Sequence, residues 1–172
     1  SSEDGLYSAG EGWAIDDVEV KAGLFDVRFF DDMEAGIGTW TRSTFPAVGD
    51  YWKIAGNVPT EQVCTANSTK VWKVSNDVTG GLVTRLDDLL LSPPVAVGQA
   101  DQVFLFFDVY RNLSLNVCFY YGVQIRTKNI GAPSWSAWAD PTGLLYFGSE
   151  REWLQQTVTL AGAGNGDSLQ FR

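Results

Sequence analysis

Five acidic side chains lie in two short stretches near the start of the chain and are the best candidates for a chemical site: Asp16, Asp17, Asp31, Asp32 and Glu34. Carboxylate oxygens at this density are the hard ligands that suit Ca²⁺. The same residue types are common on solvated strand edges, where Asp side chains cap turns. The residues alone therefore predict either a calcium site or a hydrated acidic edge.

Catalytic machinery is absent from the sequence. Without a single histidine, the chain cannot use Ser-His-Asp or Cys-His catalysis or the usual zinc sites, and it has no Gly-rich phosphate loop of the required spacing. The acidic pairs that could serve a glycosidase are immediate or near neighbours, with no sign of a shared cleft: Asp31 with Asp32, Asp87 with Asp88, and Glu150 with Glu152. We expect a protein that is not an enzyme.

Tryptophans offer a second kind of site. Trp135 and Trp138 fall in a loop or edge region, which makes them candidates for a sugar-binding platform. Core packing is the expected role of the tryptophans at alternating strand positions. These are Trp13, Trp52, Trp72 and Trp153.

Two cysteines and two glycosylation triplets point to a location. Cys64 and Cys118 can form one disulfide, although each can also be a small buried apolar residue. The triplets begin at Asn67 and Asn112, close to the cysteines, and each alone is a weak signal. Together these features favour an extracellular or cell-surface glycoprotein with a Cys64–Cys118 disulfide.

The charge of the chain excludes some partners. With 12 basic and 21 acidic residues, the net charge is −9, which argues against nucleic acid and anionic membrane surfaces. No apolar run approaches the ~20 residues needed to span a bilayer, so we expect no membrane insertion. The chain begins without Met and stops inside a predicted strand, so we interpret it as a piece of a longer protein.

The element that must position the first acidic pair is a predicted strand over residues 12–21. In it Trp13 and Ile15 share one face, whereas Val18 and Val20 follow the other parity. This slip of the period-2 pattern at Asp16 and Asp17 predicts a β-bulge.

The strands that follow predict the fold class. Residues 102–111 form the strongest strand, and because both faces are apolar we expect it to be central in its sheet. Residues 24–31 are expected to place Phe25, Val27 and Phe29 on one face. For residues 82–92 a two-turn helix over residues 83–88 is one alternative, but we expect extended chain, since Pro93-Pro94 disfavour helix before them. About ten short strands without a long helix indicate an all-β sandwich or barrel, and the alternation of inward and outward residues favours two packed antiparallel sheets.

The order of several short motifs resembles one family over most of the chain. The motifs are Phe30-Asp-Asp-Met-Glu34, Gly38-Thr-Trp40, Tyr51-Trp52, Val71-Trp72, Leu91-Ser-Pro93, the long strand, Gly122-Val-Gln-Ile-Arg126, a Trp-containing hairpin and a strand opening with Trp153. This order resembles the MAM-like jelly-roll modules of bacterial surface and secreted proteins. That group includes cleaved-adhesin (choice-of-anchor J) modules and accessory domains of immune-inhibitor-A-type peptidases.

The resemblance carries an anomaly of order. The family pattern closes with Gly-Trp-x-Ile-Asp-Asp-Val, which here occupies residues 12–18, at the front. The displaced strand either completes the sandwich of a neighbouring copy or folds back on its own body. The first alternative predicts an arm and donor strand in residues 1–23 and a sandwich in residues 24–172.

Function follows from that resemblance as an expectation. We expect a structural subunit or repeat module of an extracellular filament or surface protein, linked head-to-tail to copies of itself. Strand complementation would use Trp13, Ile15, Val18 and Val20 as the plug. The alternative is a carbohydrate-binding or adhesin module of a larger secreted protein. The resemblance also implies that the five acids converge and that Ca²⁺ binds near this edge.

Overall fold

The computed structural model describes residues 12–45, 52–56, 69–74, 87–98, 100–112, 122–140, 153–161, 163 and 166–172. These residues form eleven β-strands and no α-helix. The strands are β1 (Gly12–Ala22), β2 (Asp26–Asp31), β3 (Thr41–Phe45), β4 (Trp52–Ala55), β5 (Val71–Val74), β6 (Asp87–Leu91), β7 (Val95–Ala96), β8 (Val103–Asn112), β9 (Ile125–Lys128), β10 (Trp153–Thr159) and β11 (Ser168–Phe171).

The strands form three antiparallel sheets. A six-stranded sheet has the order β10-β8-β1-β5-β4, with β2 paired to β1 beside β5. A second sheet has the order β7-β11-β9, and β3 pairs with β6. The described part is therefore all-β, as predicted, and its antiparallel sheets are consistent with a β-sandwich. None of its residues forms a helix long and apolar enough to cross a lipid bilayer.

The core lies between the sheets because alternate residues of each strand face inwards. Val20 of β1 and Leu105 of β8 join one buried cluster with Leu169 of β11. Aromatic edges close this core: the rings of Phe171 and Trp40 meet at 5.6 Å in a T-shaped arrangement. The main cluster thus ties the sheets together.

Strand β1 lies in the middle of the sheet of its own chain. It pairs with β8 from Gly12 to Ala22, while its other edge pairs first with β5 and then with β2. Of the two arrangements that the sequence left open, this structure contains the folded-back one.

The bulge predicted in β1 is confirmed. Asp16 lies opposite Asp108 and Glu19 opposite Phe106, so β1 carries one residue more than β8 across this step. Asp17 takes up the extra length with a φ of 45°. A bulge of this kind reverses which residues face the core.

The predicted face of β2 is wrong. Phe25 lies in the turn before the strand and is 91% exposed. Val27 pairs with Lys21 and Phe29 with Val20, which leaves Arg28 as an extra residue between them. Because this bulge breaks the alternation, Phe29 packs on the core while Val27 lies on the outer face of the sheet.

Other predictions have mixed outcomes. The extended conformation before Pro93 is confirmed by β6 for residues 87–91, whereas residues 82–86 lie outside the described residues. The long strand is confirmed by β8. Cys64, Cys118, Asn67, Glu150 and Glu152 lie outside the described residues. The backbone of Asn112 ends β8.

Candidate functional site

The carboxylate of Asp31 accepts two hydrogen bonds that stabilise the turn after β2. Its Oδ1 accepts a hydrogen bond from the backbone N–H of Met33 at 2.8 Å. Its Oδ2 accepts one from the indole Nε1–H of Trp40 at 2.7 Å. Both carboxylate oxygens therefore hold the turn and a core tryptophan in place, as expected of a turn-capping aspartate.

Glu34 fastens this turn to the segment before β5. Its carboxylate accepts hydrogen bonds from the backbone N–H and hydroxyl of Thr69 and from the N–H of Lys70. The bonds from Thr69, followed by that from Lys70, lower the pKa of Glu34. Asp32 acts locally, because its Oδ1 accepts from the Glu34 N–H at 3.1 Å.

Asp17 lies among the other acids because of the bulge. Partial burial is the largest cause that raises its pKa, followed by the negative charges of Asp108, Asp32 and Glu34. The structure thus brings Asp17, Asp32 and Glu34 together electrostatically. It also adds Asp108, which is not among the five acids predicted from the sequence.

Asp108 lies opposite Asp16 across the β1–β8 pair. The two residues are 4% and 0% exposed, respectively. Burial raises the pKa of Asp108, although a hydrogen bond from Gln155 acts in the opposite direction. A single carboxylate within the apolar run of β8 was the sequence signal that could have revealed this site, since isolated buried charges are costly.

The arrangement of these acids does not favour calcium. Within the described part of the chain, no group of three or more His, Cys, Asp or Glu side chains is placed to hold a metal ion. The oxygens of Asp31 and Glu34 already accept hydrogen bonds from protein donors. Calcium binding stays a prediction, tested by whether Ca²⁺ raises the melting temperature of the protein.

The rings of Trp135 and Trp138, the candidate sugar platform, both pack against arginine side chains. The guanidinium of Arg126 lies 5.0 Å from the ring centroid of Trp135 and 4.6 Å from that of Trp138. The guanidinium of Arg172 lies 4.4 Å from the Trp138 ring. These are cation–π distances, and they join the loop after β9 to the sheet.

Strand pairing orients both guanidiniums. Arg126 lies opposite Gln170 in the β9–β11 pair and donates to its Oε1 from Nε and Nη2, at 3.0 and 2.5 Å. Arg172 donates in the same way to Oε1 of Gln124, at 2.9 and 2.7 Å. The two tryptophans pack on this ordered Arg–Gln surface, and a sugar-binding role for them stays a prediction.

An apolar surface at the β1–β2 hairpin was not anticipated. We call it the hairpin patch, and it comprises Leu24, Phe25, Val27 and Phe30, which are 68%, 91%, 48% and 57% exposed. Val27 and Phe30 pair with Lys21 and Glu19, so they share the outer face of the sheet with the half-buried rings of Phe104 and Phe106. Exposed apolar clusters of this kind mark interaction sites.

No protein-family model, no curated protein and no solved structure matches this chain. The resemblance to MAM-like modules therefore stays a prediction. The structural basis for a function is the geometry of β1 and the hairpin patch.

Proposed function

We propose that the protein is a structural module of an extracellular assembly in which copies are linked by exchange of strand β1. The observation that carries the proposal is the place of β1 between β8 on one side and β5 and β2 on the other. The chain needs a strand in this position, but the strand of a second copy would supply the same contacts.

The contacts made by β1 explain why its position must be filled. Val18 and Val20 are 2% and 0% exposed and belong to the main core cluster. Removing β1 would open that core and leave the facing edges of β8 and β5 unpaired, which is a route to association between chains. Strand exchange satisfies both needs without a new type of contact.

The turn between β1 and β2 is the hinge that exchange requires. Gly23 adopts a φ of 68°, and its N–H donates to the carbonyl of Gln102 at 2.8 Å. Leu24 and Phe25 follow it and are exposed in the folded-back chain. In the exchanged form this segment would cross between two copies, where the neighbouring body can cover both side chains.

Repeated exchange from one copy to the next would build a filament, because a contact that does not close on itself propagates. The extracellular setting, the glycans on Asn67 and Asn112 and the Cys64–Cys118 disulfide belong to the same proposal and rest on the sequence. The alternative carbohydrate-binding or adhesin module rests on Trp135 and Trp138. Their stacking on Arg126 is equally explained by a structural role.

Exchange can be tested by cross-linking two single variants. One chain carries Glu19→Cys and the other Phe106→Cys, at positions directly opposite in the β1–β8 pair and partly accessible on the outer face. The variants are mixed at high concentration under mild oxidation, and disulfide-linked peptides are identified by mass spectrometry. We expect a 19–106 disulfide between chains, because β1 of one copy would lie on β8 of the other.

The matched control keeps Phe106→Cys and replaces the first variant with Thr157→Cys on β10. Thr157 also lies opposite Phe106, but β10 and β8 stay in one body whether or not β1 is exchanged. This mixture should give no 106–157 disulfide between chains. Equal inter-chain yields in the two mixtures, or none in either, would overturn the exchange proposal.

A further inference from the structure

Strand β2 has one partner strand in the described part of the chain, which is β1. Its other edge carries the exposed residues Asp26, Val27 and Arg28. We propose that this edge pairs with β2 of a second copy, antiparallel and about a two-fold axis through Val27. The six-stranded sheets of the two copies would then form one continuous sheet.

The charges of β2 select this register. Asp26 and Arg28 are exposed and form an ion pair within the strand, with Nη2 and Oδ2 2.5 Å apart. In an antiparallel pair centred on Val27, Asp26 of each copy lies opposite Arg28 of the other, giving two reciprocal attractive pairs. Opposite charges at facing positions stabilise a strand pair, and like charges destabilise it.

Neighbouring registers lack this complementarity. A pair centred on Arg28 places Arg28 opposite itself. A pair centred between Arg28 and Phe29 places Asp26 opposite Asp31. Because a shift of one residue changes every facing pair, the charge pattern distinguishes the Val27-centred register from these two.

The apolar residues agree with the same register. Val27 would lie opposite Val27 of the second copy, and Leu24 would lie opposite Phe30. These side chains of the hairpin patch are 48%, 68% and 57% exposed in the single chain. The charges of Asp26 and Arg28 disfavour pairing with a strand that lacks the complementary pattern, so this register favours a second copy of the chain.

This contact is separate from strand exchange. It uses the outer edge of β2, which is the same whether β1 comes from its own chain or from another. The experiment therefore begins with a chain that carries Glu19→Cys and Phe106→Cys together. Oxidation at low concentration closes the 19–106 disulfide within one chain and blocks exchange, so any remaining association reports on other contacts.

On that locked background, charge reversal tests the pairing. Sedimentation velocity should show a dimer for the parent and at least about tenfold weaker dimerisation for Asp26→Arg or Arg28→Asp alone, since each places like charges at both facing positions. Mixing these two single variants should restore a dimer, because one chain would carry arginine at both positions and the other would carry aspartate at both. The double variant with both changes should also dimerise.

Cross-linking gives a second readout of the register. On the locked background, Val27→Cys should form a disulfide with the same position of the second copy, since facing Cα atoms in antiparallel strands lie within disulfide range. Phe30→Cys is the control, because Phe30 would face Leu24 and not itself. The proposal would be overturned if the locked parent were monomeric, or if the single charge variants associated as tightly as the parent. Failure of the mixed variants to pair, or equal cross-linking at positions 27 and 30, would also overturn it.

Discussion

The two halves of β1 have opposite surroundings on their outer face. In the first half, Ala14 and Asp16 face that side and are fully buried. In the second half, Glu19 and Lys21 occupy the same side and are partly exposed, joined by an ion pair of 2.8 Å. The bulge at Asp17 separates the two halves, so one strand belongs both to a scaffold and to an accessible surface.

The neighbours of each half explain the difference. Beside the first half, Ala14, Tyr110 and Trp153 belong to a second buried cluster, with the two aromatic rings 5.8 Å apart. Beside the second half, the Nζ of Lys21 lies 4.8 Å from the centroid of the half-buried Phe106 ring. We infer that the first half stabilises the fold and that the second half, with the hairpin patch, makes contacts between molecules.

The largest effect on stability should come from a substitution beside the first half of β1. Trp72 on β5 faces Ile15 of the first half and is 0% exposed, with its ring 6.5 Å from that of Trp40. Trp72→Ala should lower the free energy of unfolding by about 3–5 kcal/mol, because it removes a large side chain from a packed core. Phe30→Ala, which truncates a 57%-exposed ring beside the second half, should change it by no more than about 0.5 kcal/mol.

Urea unfolding of the two variants at a concentration where the protein is monomeric measures both values. Similar losses in Trp72→Ala and Phe30→Ala would remove the distinction between a scaffold end and an accessible end. A monomeric sample is essential, since Phe30 is also part of the proposed dimer contact.

The second effect is the pH dependence of stability that comes from Asp108, the buried acid opposite Asp16 in the first half of β1. Burial raises the pKa of Asp108 above its ordinary value of 3.8, so the folded chain binds this proton more tightly than the unfolded chain. The stabilisation is complete below that value and is lost as pH rises through the folded-state pKa. Asp17 acts in the same direction, and Glu34, whose pKa is lowered, acts in the opposite one.

Asp108→Asn should therefore gain stability over the wild type as pH rises from about 4 to 7, since the amide stays neutral and can still accept a hydrogen bond from Gln155. Urea titrations across this range give the difference between the two proteins, in which the contribution of Glu34 cancels. The contribution of Asp17 adds to the gain of the variant, because the charge of Asp108 is one of the causes that raise the pKa of Asp17. If the difference in unfolding free energy were constant with pH, the pKa of Asp108 would be the same in the folded and unfolded chains.

Local patterns in the sequence were enough to predict the bulge and the strand class. The parity change between Ile15 and Val18 located the extra residue at Asp16 and Asp17, because side-chain alternation is a property of a single strand. The same alternation failed in β2, because Val27 and Phe29 keep a regular apolar spacing across the extra residue Arg28 and so hide the second bulge. The prediction for Phe25, Val27 and Phe29 was wrong for that reason.

Contacts between distant strands could not be predicted in the same way. The period of β1 identifies its faces but not its neighbours, so its pairing with β8 of its own chain required the structure. The site residues show the same limit: Trp135 and Trp138 were visible as candidates, whereas their partners Arg126 and Arg172 come from β9 and the residue after β11. Asp108 interrupts the apolar run of β8, which is a local signal, but its position opposite Asp16 could not be predicted because Asp16 lies far away in the sequence.

The smallest effect should come from the backbone of the bulge that divides the two halves. Asp17 has a φ of 45°, a conformation that glycine adopts freely and that costs most other residues roughly 1 kcal/mol or more. Asp17→Gly and Asp17→Ala remove the same charge, so their difference isolates the backbone. We expect Asp17→Gly to be the more stable by about 1 kcal/mol in urea unfolding, with the loss of charge common to both. If the two variants unfolded at the same urea concentration, the positive φ would contribute nothing to the cost of the bulge, and the boundary between the halves would be set by side-chain burial alone.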